Sequence, residues 1–146
     1  MASPTIRNRA LRPGALPATA LAAALLATPA AALAENGEHV VRSAFTVAMD
    51  GREPANVVET IGPEHDRIYY FTELHNLTGQ TVRHRWVYNG EPQATIKFQV
   101  GGPRWRVYSS KQIPPTMQGD WKVMVINEDG DVLKQERLRY RTAADL

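Results

Sequence analysis

Thr81-Val82-Arg83-His84-Arg85-Trp86-Val87-Tyr88, then Asn89-Gly90-Glu91-Pro92, then Gln93-Ala94-Thr95-Ile96-Lys97-Phe98-Gln99-Val100 decides the fold. Both arms alternate with a period of two around a turn signal, the pattern of a half-buried β-hairpin. A three-residue loop, Asn89-Gly90-Glu91, with Gly90 left-handed sets Trp86 opposite Ala94, His84 opposite Ile96 and Val82 opposite Phe98. The other face then pairs Arg85 with Thr95 and Arg83 with Lys97. This register collects the apolar residues on one side, as a sheet covering a core requires. A two-residue Asn-Gly turn would mix the faces and is disfavoured.

The same alternation extends outward. Strands are expected at Val40 to Met49, Arg67 to His75, Thr81 to Tyr88, Gln93 to Val100, Arg104 to Lys111, Trp121 to Asn127 and Val132 to Arg141, with a short edge piece within residues 56–61. Pro114-Pro115 and Glu128-Asp129-Gly130-Asp131 separate the later ones. Seven strands at this spacing predict an all-β, antiparallel immunoglobulin-like β-sandwich, with a small β-barrel as the alternative. Reading residues 76–80 as a hairpin turn sets Glu73 opposite Arg83, as an ion pair, and Phe71 opposite Arg85. It also sets Tyr70 against Trp86 and Thr72 against His84. Leu133 and Leu138 differ in parity, which calls for a bulge near Gln135. Core candidates run from Val41 and Phe45 through Trp86 to Leu138, with Trp121 as the central anchor.

The first 34 residues read as a secretory signal. Arg7, Arg9 and Arg12 precede an apolar run from about Ala15 to Leu26, and Ala32-Leu33-Ala34 is a cleavage sequence, so the mature domain is expected to span 35–146 from Glu35. Without a paired Arg-Arg, the general secretory route is expected. This segment holds three of the 17 Lys and Arg and none of the 15 Asp and Glu, so the remainder carries 14 against 15, a net −1. A general nucleic-acid binder would need a positive balance to displace counterions from phosphates. The expected location is periplasmic or secreted, with no nucleic acid as partner and no transmembrane helix after cleavage. The chain has no Cys, which excludes thiol chemistry and a lipobox anchor.

Chemistry-bearing patterns are sparse. His39, His65, His75 and His84 form no H-x-H or H-E-x-x-H arrangement. Glu73 and His75 share a strand face, and with His84 they make the alternative reading of a metal-binding or hydrolytic protein. Ser109, Ser110 and Lys111 lack the Ser-x-x-Lys spacing, and no G-x-S-x-G elbow is present. Glu73, Asp120 and Glu136 are unremarkable carboxylates for glycoside cleavage. Gly101-Gly102-Pro103 is a strand connection, and Asn76-Leu77-Thr78 is a weak glycosylation sequon. No catalytic, metal or cofactor role is assigned. The remaining candidate is the strand Arg104-Trp105-Arg106-Val107-Tyr108. With Trp105 and Val107 inward, Arg104, Arg106 and Tyr108 face solvent and can hold a sugar, carboxylate or phosphate. Arg83, Arg85 and Lys97 are expected to flank them. The competing reading is that these arginines bridge to carboxylates of neighbouring strands.

Several motifs carry a resemblance. Phe71-Thr72-Glu73-Leu74, Gly79-Gln80-Thr81-Val82, His84-Arg85-Trp86, residues 102–111, Gly119-x-Trp121-x-Val123, Asp129-Gly130 and Leu138-x-Tyr140 resemble a bacterial family known as domain of unknown function 2914, over about Val41 to Arg141. The resemblance implies an exported β-rich domain and transfers no catalytic residue. The expectation is a non-catalytic binding or accessory module of the envelope, recognising an anionic or glycan ligand or a protein partner through Arg104, Arg106, Tyr108, Arg83 and Arg85. A structural subunit assembling through a sheet edge, for example Val40 to Met49, is a third reading.

Overall fold

A computed structural model of the chain describes Gly14 and residues 39–145. The expected signal segment (Gly14 apart), cleavage sequence and mature start at Glu35 lie outside the described residues. The chain divides into two units, of which the second, Ala31–Leu146, holds the domain.

Seven long strands form: β1 (Val40–Thr46), β5 (Arg67–His75), β6 (Thr81–Tyr88), β7 (Glu91–Gln99), β8 (Arg104–Gln112), β9 (Gly119–Ile126) and β10 (Val132–Tyr140). Three two-residue strands, β2 (Met49–Asp50), β3 (Glu53–Pro54) and β4 (Thr60–Ile61), lie between β1 and β5. One sheet has the order β1-β5-β8, a second the order β4-β10-β9-β6-β7, and β2 pairs with β3 alone. The long strands pair antiparallel, and β4 adds to β10 in parallel. In immunoglobulin lettering this is an A-B-E sheet facing a C′-C-F-G sheet, with a buried Trp on strand C. The fold is an all-β sandwich of immunoglobulin type; no barrel closes.

The β6–β7 register is the predicted one: Trp86 opposite Ala94, His84 opposite Ile96, Val82 opposite Phe98, Arg85 opposite Thr95 and Arg83 opposite Lys97. The turn is not. Tyr88 pairs with Glu91, leaving the two-residue Asn89-Gly90 turn, with φ of 45° and 86°. Both residues are left-handed, which matches strand twist. The parity error this turn would introduce is cancelled by a bulge, since Val87 pairs with Pro92 while Trp86 pairs with Ala94. The last hairpin is also bulged, at Leu133 rather than near Gln135. A third bulge, at Val41, turns that side chain out to 42 % exposure and removes it from the core.

The predicted β5–β6 hairpin is replaced by an arch. Both sides of β6 are taken, by β7 and β9, and β5 lies between β1 and β8. Residues 76–80 cross between the sheets instead. Asn76 N donates to Pro103 O at 2.9 Å, Gly79 N to Val100 O at 2.8 Å, and Leu77 is buried at this end of the sandwich. There is accordingly no Glu73–Arg83 pair. The inward partners expected from that hairpin still meet, but face to face across the core. Thr72 Oγ1 lies 3.0 Å from His84 Nε2, and the Tyr70 ring packs edge-on to His84 at 5.1 Å.

The core lies between the sheets. Trp86, Trp121, Tyr70, Phe45, Ile68, Leu74 and Leu138 are essentially inaccessible. Trp86 sits 6.0 Å from Phe45 and 6.5 Å from Trp121, both edge-on, a favoured aromatic arrangement. A polar clip joins the layers here. Ser109 Oγ accepts from Trp86 Nε1 at 3.0 Å and lies 2.8 Å from His84 Nδ1. The neutral imidazole, with one ring nitrogen donating and the other accepting, satisfies both Ser109 and Thr72 in either tautomer. Tyr70 adds a second tie, donating to Glu136 at 2.9 Å.

Candidate anion-binding face

The five residues expected to form one site do not share a surface. Arg104, Arg106 and Tyr108 lie on the outer side of β1-β5-β8. Arg83 and Arg85 lie on the outer side of the other sheet, because Val82, His84 and Trp86 of the same strand point into the core.

On the first face the arginines are already partnered. Glu73, on the middle strand, is 4 % exposed. Its Oε1 accepts from Arg104 Nε at 2.8 Å and lies 2.9 Å from His75 Nε2, while its Oε2 accepts from Arg42 Nη2 at 2.8 Å. The Arg104 guanidinium, aided by His75 and Arg42, holds the Glu73 carboxyl down at about 2. Arg42 also reaches Glu53 at 3.0 Å and lies over the Phe71 ring at 5.1 Å, and Arg106 pairs with Glu53. Glu53 belongs to β3, so the network staples the β2–β3 hairpin over Phe71. Tyr108 stands edge-on to Tyr69 at 6.0 Å. Here the bridging reading of Arg104 and Arg106 describes the geometry.

Glu73 is covered by these side chains rather than by the core, so solvent still screens it. Replacing it with Gln should destabilise the domain by about 1.5–3 kcal/mol, the range for hydrogen bonds to charged groups, and loosen the β2–β3 hairpin. Equilibrium denaturation at neutral pH measures this; an unchanged midpoint would show the network to be ornamental.

Glu73 and His75 do not assemble with His84. The first two point outward from β5, whereas both His84 ring nitrogens are engaged in the core by Thr72 and Ser109. Ser109 and His84 form a hydroxyl–imidazole pair, but they are 4 % and 0 % exposed, out of reach of a substrate. Burial lowers the His84 pKa to about 3. Among the described residues no group of three His, Cys, Asp or Glu is placed to hold a metal ion. The β1 edge is partly covered, since Val58 N donates to Phe45 O at 2.9 Å and Val47 N to Asn56 O at 3.3 Å.

The second face is different. Sheet alternation places Arg83 and Arg85 of β6, Lys97 of β7, Lys122 of β9, and Arg137 and Arg139 of β10 on the outer side of β10-β9-β6-β7. Two directly opposed pairs are like-charged, Arg83 with Lys97 and Lys122 with Arg137. Such pairs repel across a Cβ separation of about 5 Å. Asp120 stands opposite Arg139, yet among the described residues none of the six cations makes an ion pair. Arg83 finds only the carbonyl of Glu128, at 3.5 Å, and its Nε is covered without a partner. At one end of the face lies a concavity of about 220 Å³, lined by Val87, Asn89, Gly90, Asp120, Lys122 and Arg137, with the fully buried Trp121 at its floor. Asn89 Oδ1 accepts from Asp120 N at 3.3 Å, which orients its amide at the rim.

Lys122, Arg137 and Arg139 were missed by sequence reasoning, although the signal was present. Lys122 lies between inward Trp121 and Val123, and Arg137 and Arg139 flank inward Leu138. What the alternation lacked was the strand order that puts β9 and β10 beside β6.

A comparison with curated proteins finds no match. A family model described as "Protein of unknown function (DUF2914)" matches residues 79–140. That segment runs from the arch before β6 to the end of β10 and contains all six cations of the second face. Residues 79–140 are thus similar to the family described as "Protein of unknown function (DUF2914)".

Proposed function

We propose that the protein is an exported, non-catalytic module that binds an anionic ligand through the outer face of β10-β9-β6-β7. The observation that carries this reading is the set of six cations without ion pairs, two pairs of which oppose each other directly. Cross-strand repulsion costs stability, and a bound anion would offset it. Arg104 and Arg106, by contrast, have their charge answered by Glu73 and Glu53 and serve the fold. Export is supported by the basic-then-apolar opening of the chain and its A-x-A sequence, and recovery of a shortened chain from the envelope fraction tests it.

Retention of the mature domain on an immobilised sulfated polysaccharide tests the face. The double variant R85E/R137E should elute at markedly lower salt, with affinity reduced at least about tenfold, since counterion release scales with the number of charges neutralised. R104S/R106S should elute as the parent does while melting earlier. If the second variant lost retention and the first did not, the ligand would sit on the β1-β5-β8 face and this reading would fall.

A further inference from the structure

We infer that the ligand is a linear anionic glycan lying diagonally across this sheet, with its end group in the concavity beside Asn89 and Gly90; the inference rests on the anion-binding reading of the same face. The layout follows from the ladders. Lys97 and Arg83 occupy one rung, Arg85 the next, Lys122 and Arg137 the one after, and Arg139 the last. The cations therefore form a stripe from β7 at one corner to β10 at the opposite corner, not a disc. Strand spacing of about 4.8 Å and a two-residue rise of about 6.8 Å give the stripe a length of about 25 Å, which several linked sugars span and a single small anion does not.

Chemistry narrows the occupant. Among the described residues no aromatic ring lies on this outer face, so it offers no stacking platform for the bases of a single-stranded nucleic acid. Its apolar members are Val87 and Ile126, each 4 % exposed, and the half-buried Met124, too small an apolar surface for the insertion an interfacial binder needs. Uncharged hydrogen-bonding side chains accompany the stripe: Thr95 pairs with Arg85 in the ladder, Gln135 pairs with Met124, and Asn89 sits at the concavity. Amides and hydroxyls between cations match a chain bearing hydroxyls between sulfates, phosphates or carboxylates. In the concavity Lys122 and Arg137 face the same space from adjacent strands, with Asp120 as the one carboxylate of the lining, so a terminal anionic group meets a net positive charge.

The test is chain-length dependence. Titration calorimetry would compare a sulfated disaccharide, a sulfated decasaccharide, a single-stranded oligonucleotide of equal charge and vesicles containing an anionic lipid. The decasaccharide should bind at least about tenfold more tightly than the disaccharide, with a logarithmic salt slope of about four or more against about one or two. K97E and R139E, at opposite corners, should each weaken the decasaccharide about tenfold and leave the disaccharide unchanged. Equal affinity for the two saccharides would overturn the linear ligand while keeping an anion site. Tighter binding of the oligonucleotide or vesicles would overturn the glycan. No binding of any probe would overturn the face itself. Both substitutions are at exposed positions, and an unchanged melting temperature confirms that they fold.

Discussion

Titrating the folded protein from about pH 6.5 down toward about pH 3 should lower its unfolding free energy by about 1.4 kcal/mol for each pH unit. The cause is His84. Its ring is wholly buried between Tyr70 and Phe98, and its nitrogens are held by Thr72 and Ser109. Burial disfavours the charged imidazolium, so the folded-state pKa falls from 6.5 to about 3. The unfolded chain takes up a proton below about 6.5 that the native state refuses. In that window the unfolded state binds more protons, and stability drops as pH falls. Glu73 adds to the loss only lower down: its folded pKa of about 2 lies below the ordinary 4.5, so its contribution is whole above 4.5 and disappears toward 2. The interval from 6.5 to 4.5 therefore isolates the histidine. Across the full range the loss approaches the lower end of a domain's entire stability, about 5 kcal/mol. Urea denaturation at a series of pH values measures the slope, and H84Q should flatten it between 6.5 and 4.5 even though it lowers stability at neutral pH. A variant with the parent's slope would place the proton uptake elsewhere.

Replacing Trp86 with Ala should cost about 3–5 kcal/mol, the range for removing a large buried aromatic. Trp86 is the residue on which the two layers close. It touches Phe45 from the β1 sheet and Trp121 from its own, and its Nε1–H donates to Ser109 of β8. The truncation opens a void that Phe45 and Trp121 cannot both fill, and it removes one donor from Ser109. S109A probes the polar half alone. It leaves the Trp86 Nε1–H and His84 Nδ1 facing a methyl group, about 1–3 kcal/mol for each unsatisfied group. The double variant should cost less than the sum, because the two changes share the Trp86–Ser109 bond. A loss below about 1.5 kcal/mol for W86A in equilibrium denaturation would mean that the inter-sheet anchor lies elsewhere.

Much of this architecture could be read from residue alternation. The seven long strands fall where the period of two places them, and the β6–β7 register follows from keeping Val82, His84 and Trp86 on one face. The Asn89-Gly90 turn escaped because a tight turn and a bulge produce the same register as a three-residue loop. The β5–β6 arch escaped for a related reason. Leu77, an apolar residue inside a loop, was the signal that residues 76–80 plug one end of the sandwich instead of turning a hairpin.

The candidate site shows the boundary more sharply. Arg104, Arg106, Arg83 and Arg85 all face outward, as their parity required. Whether an outward arginine is spent or available depends on what stands beside it, and Glu53 and Glu73 reach Arg104, Arg106 and Arg42 from strands distant in the chain. By itself the amino-acid order determined which residues of each strand point in and which point out, because neighbours along a strand alternate by covalent geometry. Only the tertiary structure decided which strands share a sheet, and therefore which charges are neutralised and which are gathered unpaired on one face. Those pairings join residues far apart in the chain and are selected by the packing of whole faces, which no local pattern encodes.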